Sequence, residues 1–149
     1  MSGDTRAFLL VRSGGRPFGL GVEALDEVCA SAPVARVPSH SPAVRGVRRL
    51  RDTLVPVVHL GALLDETACP EPPGEAVVLV RLAGRRVALE VDEAEVVRRE
   101  RVVVARVEDR LPWSRAIAVL ADSGAFVPLL DLAALEARLA QGETCTTTT

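Results

Sequence analysis

FLLVRSGGRPFGLGVEALDEV, residues 8–28, and VVLVRLAGRRVALEVDEAEVV, residues 77–97, are two copies of one sequence pattern. They align without gaps, and the match includes turn residues as well as apolar ones, since the Gly-Arg pair at 15–16 recurs at 84–85. In each copy an aliphatic run leads through a glycine-containing turn into a second apolar run, which predicts a β-hairpin. The four strands are expected at 7–12, 17–21, 76–82 and 86–91.

A second repeated block follows each hairpin. PVVHLGALL, which starts at Pro56, matches PLLDLAALE, which starts at Pro128, so both halves of the chain carry the same order of elements. Internal repeats of this kind indicate a fold built from two related units. The expected organisation is an N-terminal tail at 1–6, one domain at 7–140 with halves at about 7–65 and 76–140, a proline-rich linker at 66–75, and a disordered tail at 141–149.

The remaining strand signals are short and numerous. Further strands are expected around 95–98 and 101–106, and Leu54–Val58 has the pattern of an apolar strand. Pro56 must lie at an edge, an end or a bulge of that strand, because proline cannot donate a ladder hydrogen bond. Many short strands, regular glycine turns and a repeated half predict an all-β fold of two small barrels packed together.

Helical signals are few. Apolar residues spaced three apart in Val22–Val28 favour one or two helical turns in place of a strand. Leu132–Ala140 is a stronger helical pattern, with Asp131 as its expected N-cap and Gly142 as its expected stop. The lone tryptophan, Trp113, is expected to fill the core.

Composition and motifs exclude several functions for this chain of 149 residues. A net charge of −2 and only 3% aromatic residues disfavour nucleic acid and anionic lipid as ligands. The sequence lacks a GxSxG motif, a phosphate-binding GxxxxGK[ST] loop, and HxxxH or CxxC spacing. We therefore expect a protein without catalytic activity, cofactor or metal, and the absence of a leader or a long apolar run predicts a cytoplasmic location without direct membrane binding.

One segment resembles a known family. RGVRRLRDTLVPVVHLGALL, which starts at Arg45, is similar to the signature of CheW-like domains, and the flanking hairpin and C-terminal segment agree with it over about residues 7–139. The resemblance implies two five-stranded SH3-like β-barrels on a common core, with short helices that include a C-terminal one. It also implies a non-catalytic adaptor that binds the cytoplasmic domain of a chemoreceptor (a methyl-accepting chemotaxis protein) and, with less support, a CheA-type histidine kinase or other CheW-like proteins.

The resemblance further implies a partner-binding surface. Arg51 matches the motif arginine, and Glu27 matches the acid at the end of the family's first helix, near the receptor-binding groove. Gly46 falls where a missing side chain lets a partner or a neighbouring backbone approach. The full set of expected partner-binding residues is Glu27, Gly46, Leu50, Arg51, Asp52, Leu54 and Val55.

Departures from the family pattern leave the function open. Asp52 stands where the family has glycine, so it could neutralise Arg51 or forbid the usual turn, and His59 stands where the family has aspartate and is expected to cap the following helix. Arg45 and Arg49 are expected to share a strand face with Arg51, as a docking patch or a solvated face. The alternatives are a receptor-side adaptor without productive kinase coupling, or an SH3-like barrel assembly protein unrelated to chemosensing.

Overall fold

The computed structural model describes residues 4–39, 41–104, 106, 108 and 111–144. Within them most residues lie in strands, and the helices are short. The strands are β1 (Asp4–Ser13), β2 (Arg16–Gly21), β3 (Leu25–Ala30), β4 (Val44–Leu50), β5 (Thr53–His59), β6 (Ala76–Leu82), β7 (Arg85–Val91), β8 (Glu93–Val104), β9 (Ser114–Val119) and β10 (Phe126–Leu130). The helices are α1 (Leu60–Asp65) and α2 (Leu132–Thr144), and a 3₁₀ turn covers Val22–Ala24.

The strands form two five-stranded sheets, which confirms the all-β prediction. Barrel A is closed, with the strand order β1-β2-β10-β9-β8. Sheet B has the order β3-β6-β7-β5-β4 and no continuous ladder between β3 and β4 in the described part of the chain. That gap is spanned by the segment after β3, where Ala35 and Val47 exchange two backbone hydrogen bonds of 2.8 and 2.9 Å.

The two sequence halves exchange their hairpins. The β1–β2 hairpin of the first half pairs with β8 and β10 of the second half, and the β6–β7 hairpin of the second half pairs with β3 and β5 of the first. Each sheet therefore contains two strands from one half and three from the other. Neither half can complete a sheet with its own strands.

Glycine and a strained alanine form the two equivalent hairpin turns. Gly14 and Gly15 have φ angles of 61° and 78°, and their counterparts Ala83 and Gly84 have 53° and 77°. Two consecutive positive φ angles are typical of the type I′ turn, whose twist matches that of the flanking strands. The repeat thus preserves the turn geometry even where alanine replaces glycine.

The core lies mainly between the two sheets. Its largest cluster contains Phe18 and Leu20 from barrel A, Leu89 from sheet B and Leu135 from α2, all with 0 or 1% of their surface exposed. Trp113 belongs to this cluster and meets Phe18 edge to face, with ring centroids 5.4 Å apart. The prediction of a core tryptophan is confirmed.

Three element predictions are wrong in part. Residues 25–30 form β3 instead of continuing a helix after the 3₁₀ turn, because their side chains alternate between half-buried and exposed positions and pair with β6. The segments expected at 95–98 and 101–106 are one strand, β8. Helix α2 runs past Gly142 to Thr144. Strand β1 begins at Asp4, within the expected N-terminal tail, and residues 1–3 and 145–149 lie outside the described residues.

Pro56 follows the predicted rule. It lies inside β5 opposite Val47 of β4, but the parallel ladder between β5 and β7 begins only at Val57. The missing N–H of proline therefore falls where β5 has no partner on its β7 side.

Candidate functional site

The predicted pair of Glu27 and Arg51 is in contact across the gap of sheet B. Arg51 lies in the β4–β5 turn, and its Nη2 is 3.0 Å from Oε1 of Glu27 on β3. The Arg51 side chain is 66% exposed and that of Glu27 is 33% exposed. Nearby, Arg48 donates from Nη1 to the carbonyl oxygen of Ala30 at 2.9 Å. We call Glu27, Arg48 and Arg51 the Arg51 rim, and it joins the two facing edges of sheet B.

Asp52 neither neutralises Arg51 nor prevents the turn. Arg51 takes the left-handed conformation, with φ of 56°, while Asp52 does not have a positive φ. Arg51 thus occupies the left-handed position that a glycine would favour. Asp52 is exposed, and among the contacts of the described residues it forms no ion pair with Arg51. The turn pairs Leu50 with Thr53 and closes the hairpin in two residues.

Gly46 is required by a neighbouring backbone. It is buried at the irregular register between Val44 and Gly46, and a Cβ there would overlap the carbonyl oxygen of Ala35. This is the close approach that bridges β4 to the segment after β3. Gly46 therefore supports the closure of sheet B and is not itself an exposed contact point.

The three apolar residues expected at the site have three different environments. Val55 is 1% exposed and lies inside sheet B, so it is part of the core and does not reach a partner. Leu50 packs against the same interior cluster. Leu54 is 67% exposed, so its side chain lies on the surface of the hairpin.

Arg45 does not share the exposed face of Arg49 and Arg51. Its side chain is 5% exposed and donates from Nε and Nη2 to Glu90 at 2.7 to 3.0 Å. It also reaches the linker, at Glu71 Oε2 and the carbonyl oxygen of Pro70. Burial alone would lower the pKa of Arg45, but the hydrogen bonds and negative charge of Glu90 raise it, so the guanidinium stays charged.

His59 caps α1 as predicted. Its Nδ1 accepts a hydrogen bond of 3.0 Å from the backbone N–H of Ala62, so the imidazole is neutral in this role. Burial lowers the pKa of His59, which favours the same neutral state. Its repeat partner Asp131 caps α2 through Oδ1, which accepts from Ala133 at 3.2 Å.

Sequence reasoning missed an apolar face on barrel A. Phe126 is 69% exposed and Val103 is 53% exposed. The strand registers pair Phe126 with Val119, and Ile117 with both Val103 and Pro128, so these side chains are cross-strand neighbours on one surface. We call this set the apolar face. The alternation in FVPLL, with Val127 fully buried between two outward residues, is the signal that could have located it.

The described residues contain no group of histidine, cysteine and acidic side chains arranged to hold a metal ion. The thiol nearest to the Arg51 rim is Cys29, whose Sγ lies 3.4 Å from Glu27 Oε2. Burial, together with the neighbouring carboxylate of Glu27, raises the pKa of the Cys29 thiol, so it is not an activated nucleophile. No helix in the described part of the chain is long and apolar enough to cross a membrane.

Two interlocked SH3-like sheets, with a charged rim on one and an exposed apolar face on the other, define a small β protein of the binding-module class. The family model of the CheW-like domain matches residues 7–139, and the chain belongs to this family. The scaffolding protein TtCheW from Thermoanaerobacter tengcongensis has a similar solved structure, with a TM-score of 0.74 and 16% identity over 89% of this chain and 92% of that one. No curated protein matches the sequence. The family membership supports a scaffold or adaptor role in chemotaxis.

Proposed function

We propose that this protein is a non-catalytic cytoplasmic adaptor of a chemosensory pathway, and that it docks a chemoreceptor's cytoplasmic tip at the Arg51 rim. The observation that carries the proposal is the partly exposed ion pair of Arg51 and Glu27. A solvated pair of this kind adds only about 0.2 to 1 kcal/mol to folding. Its charges are therefore available to a polar partner, with Leu54 and Asp52 of the same hairpin beside it.

A second surface supports coupling to a kinase. The apolar face on barrel A carries Phe126 and Val103 in exposed positions, and contiguous exposed apolar surface is typical of protein interfaces. We propose that this face binds the regulatory domain of a CheA-type histidine kinase, or the related surface of another CheW-like protein. Because the Arg51 rim belongs to sheet B and the apolar face to barrel A, one molecule would be able to hold both partners.

The proposal is tested by calorimetric titration of the protein with a receptor tip and, in parallel, with a kinase regulatory domain. We expect Arg51→Ala to weaken binding of the receptor tip by about five- to thirtyfold, as is usual for a central interface residue, with little change in melting temperature. Arg99→Ala, at an exposed arginine on β8, is the matched control and should bind the receptor tip normally. Equal losses in both variants would show that bulk charge, and not the rim, is responsible.

Phe126→Ser tests the other surface in the same way. It should weaken binding of the kinase domain and leave the receptor tip unaffected, because Phe126 lies outside the Arg51 rim. Binding to the receptor alone would favour an adaptor without productive kinase coupling. Binding of wild-type protein to neither partner would favour an SH3-like assembly protein outside chemosensing.

A further inference from the structure

Strand β8 places two arginines beside the apolar face. Arg99, Arg101 and Val103 are exposed, whereas Glu100 and Val102, which lie between them, are covered. Successive residues of a strand project to opposite sides of a sheet, so the three exposed side chains share the outer side of barrel A. Val103 is part of the apolar face. Arg99 and Arg101 therefore continue that face along β8.

Strand pairing puts Arg101 in one row with the exposed ring of Phe126. Arg101 is in register with Val119 of β9, and Val119 is in register with Phe126 of β10. Residues directly opposite each other on antiparallel strands project from the same side of the sheet. Two strand spacings, about 10 Å, therefore separate Arg101 from Phe126. We call these three residues the Arg101 row, and a partner that covers Phe126 and Val119 reaches the arginine as well.

The charges of Arg99 and Arg101 have no counterpart in the described part of the chain. Neither side chain forms an ion pair or a hydrogen bond with another residue there. The acids around this part of β8 are bound to Arg98, whose Nη1 lies 3.4 Å from Glu100 Oε2 and 3.1 Å from Asp122 Oδ2. Arg98 lies on the covered side of the strand. The outer side of β8 thus presents two guanidinium groups that pair with no carboxylate of their own surroundings.

These guanidinium groups limit which partner is able to cover the Arg101 row. A purely apolar partner would remove water from Arg101 without giving it an acceptor, and a charge that is buried without a partner is strongly unfavourable. A carboxylate offsets that cost, because its two oxygens match the paired N–H groups of a guanidinium. A partner that covers Phe126 well must therefore carry a carboxylate about two strand spacings away from its own apolar group.

We infer that the apolar face, together with Arg99 and Arg101, binds a partner surface on which carboxylates flank an apolar group. This inference rests on the proposed function, because it concerns the face assigned there to a kinase domain, and it adds the chemistry that the partner must present. Phe126 supplies contact area, and the two arginines reject apolar surfaces that lack an acid. Selection among similar partners then depends on Arg99 and Arg101.

The first test is calorimetric titration with the kinase regulatory domain at two salt concentrations. Arg101→Gln should weaken binding by about three- to tenfold and should reduce the loss of affinity that added salt causes in the wild type. The matched control is Arg36→Gln on the sheet B side, where the arginine side chain is 84% exposed. It should bind the kinase domain normally, and melting temperatures should be similar in both variants.

The second test does not depend on a kinase. Two short synthetic peptides are compared, one with a leucine flanked by glutamates and one in which every glutamate is replaced by glutamine. Two-dimensional amide NMR spectra recorded during titration with the Glu peptide should show shifts concentrated at Arg101, Val119 and Phe126. Fluorescence anisotropy should give a higher affinity for the Glu peptide than for the Gln peptide, and Arg101→Gln should remove most of that difference.

Four results would overturn the inference. The first is normal binding of the kinase domain by Arg101→Gln, which leaves the proposed function standing if Phe126→Ser still binds weakly. The second is equal affinity for the two peptides, because the arginines would then contribute nothing. The third is an equal loss in Arg36→Gln, which would indicate attraction by general charge. The fourth is self-association of the wild type that Phe126→Ser abolishes, which would assign the face to a second copy of this chain.

The two tests together separate this inference from the proposed function. Binding of the Glu peptide through Arg101, without binding of the kinase domain, would contradict the proposed kinase partner and support the inference. Failure of the wild-type protein to bind either the kinase domain or the Glu peptide would overturn both.

Discussion

Individual buried polar residues connect strands and cap a helix in this fold. The ion pair of Arg45 and Glu90 links β4 to β7 across the intervening β5, and Arg45 also donates to Glu71 of the linker. Buried pairs are costly to break on one side, because a lone buried charge remains. His59 acts in a similar way at the start of α1, where its neutral ring accepts a hydrogen bond from the backbone.

The His59 cap should make stability depend on pH. Burial lowers the pKa of His59 in the folded state, whereas Glu90 and Asp92 oppose the shift and Arg45 reinforces it. As the pH falls, His59 is therefore protonated in the unfolded chain before it is protonated in the folded protein. The free energy of unfolding then decreases as the pH drops below about 6.5, the ordinary pKa of histidine. Above that pH the His59 cap makes its full contribution to the free energy of unfolding.

Chemical denaturation at about pH 8 and about pH 5.5 checks this dependence. His59→Asn keeps a side-chain acceptor at the N-cap without a titrating group, so its loss of stability between the two conditions should be smaller than that of the wild type. An identical loss in both proteins would mean that carboxylates alone cause the dependence and that His59 does not contribute.

At the scale of elements, pattern and turn chemistry predict the hairpins well and the edges poorly. The repeated runs around Gly15 and Gly84 gave β1, β2, β6 and β7 within a few residues, because alternation and turn residues are local signals. The helical spacing of Val22–Val28 was misleading beyond the 3₁₀ turn, since β3 is defined by its pairing with β6, far along the chain. For the same reason the burial of Arg45 was not predicted, because its partner Glu90 lies 45 residues away.

The candidate site follows the same rule. The family resemblance implied that Glu27 and Arg51 lie near the same groove, and in the structure the two side chains form an ion pair. The separate environments of Leu54 and Val55 depend on which side of β5 is covered, and that is set by tertiary packing. The apolar face depends on three strands meeting, so the alternation in FVPLL identifies only the outward residues of β10, and their neighbours on β8 and β9 follow from the pairing.

The turn between β6 and β7 contains backbone strain at Ala83, which a substitution to glycine should relieve. Ala83 has φ of 53°, a conformation that costs an L-residue about 1 to 2 kcal/mol and costs glycine little. Ala83→Gly should therefore raise the free energy of unfolding by up to about 1 kcal/mol, after the greater freedom of glycine in the unfolded chain is counted. The backbone N–H of Ala83 donates to the side-chain Oε1 of Glu136, and this hydrogen bond stays intact because glycine keeps the N–H.

Urea denaturation measures this change, and the repeat supplies a converse variant. Gly14→Ala at the equivalent turn should destabilise by about 1 kcal/mol, although a Cβ there would meet no atom within 4 Å, because the cost is conformational. Stabilisation by Gly14→Ala would show that the positive φ angles of these turns carry no strain.

At the scale of the whole molecule, the exchange of hairpins makes the two sheets one folding unit. The first half contributes β1 and β2 to barrel A, yet its other three strands lie in sheet B. The hydrophobic core between the sheets contains side chains from both halves, such as Phe18 and Leu89.

A fragment that ends in the linker, before Pro70, should therefore not fold as a monomer. Its β1–β2 hairpin lacks β8 and β10, and its β3 and β5 lack β6 and β7. Far-UV circular dichroism with analytical ultracentrifugation checks this. A monomeric fragment with a cooperative unfolding transition would contradict it, whereas a dimer would fit two copies that exchange hairpins with each other.

The exchanged hairpins also set the order in which the two sheets can be completed while the chain is being synthesised on the ribosome. Sheet B has all of its strands once Val91 has been made, but barrel A must wait for β10, which ends at Leu130. During that interval the apolar β1 strand, with Phe8 and Leu10 that are later buried, has no closed barrel to enter. Within this domain β1 is thus made before the other strands but is among the last to be sealed in a barrel, and it stays open to aggregation until β10 has been made.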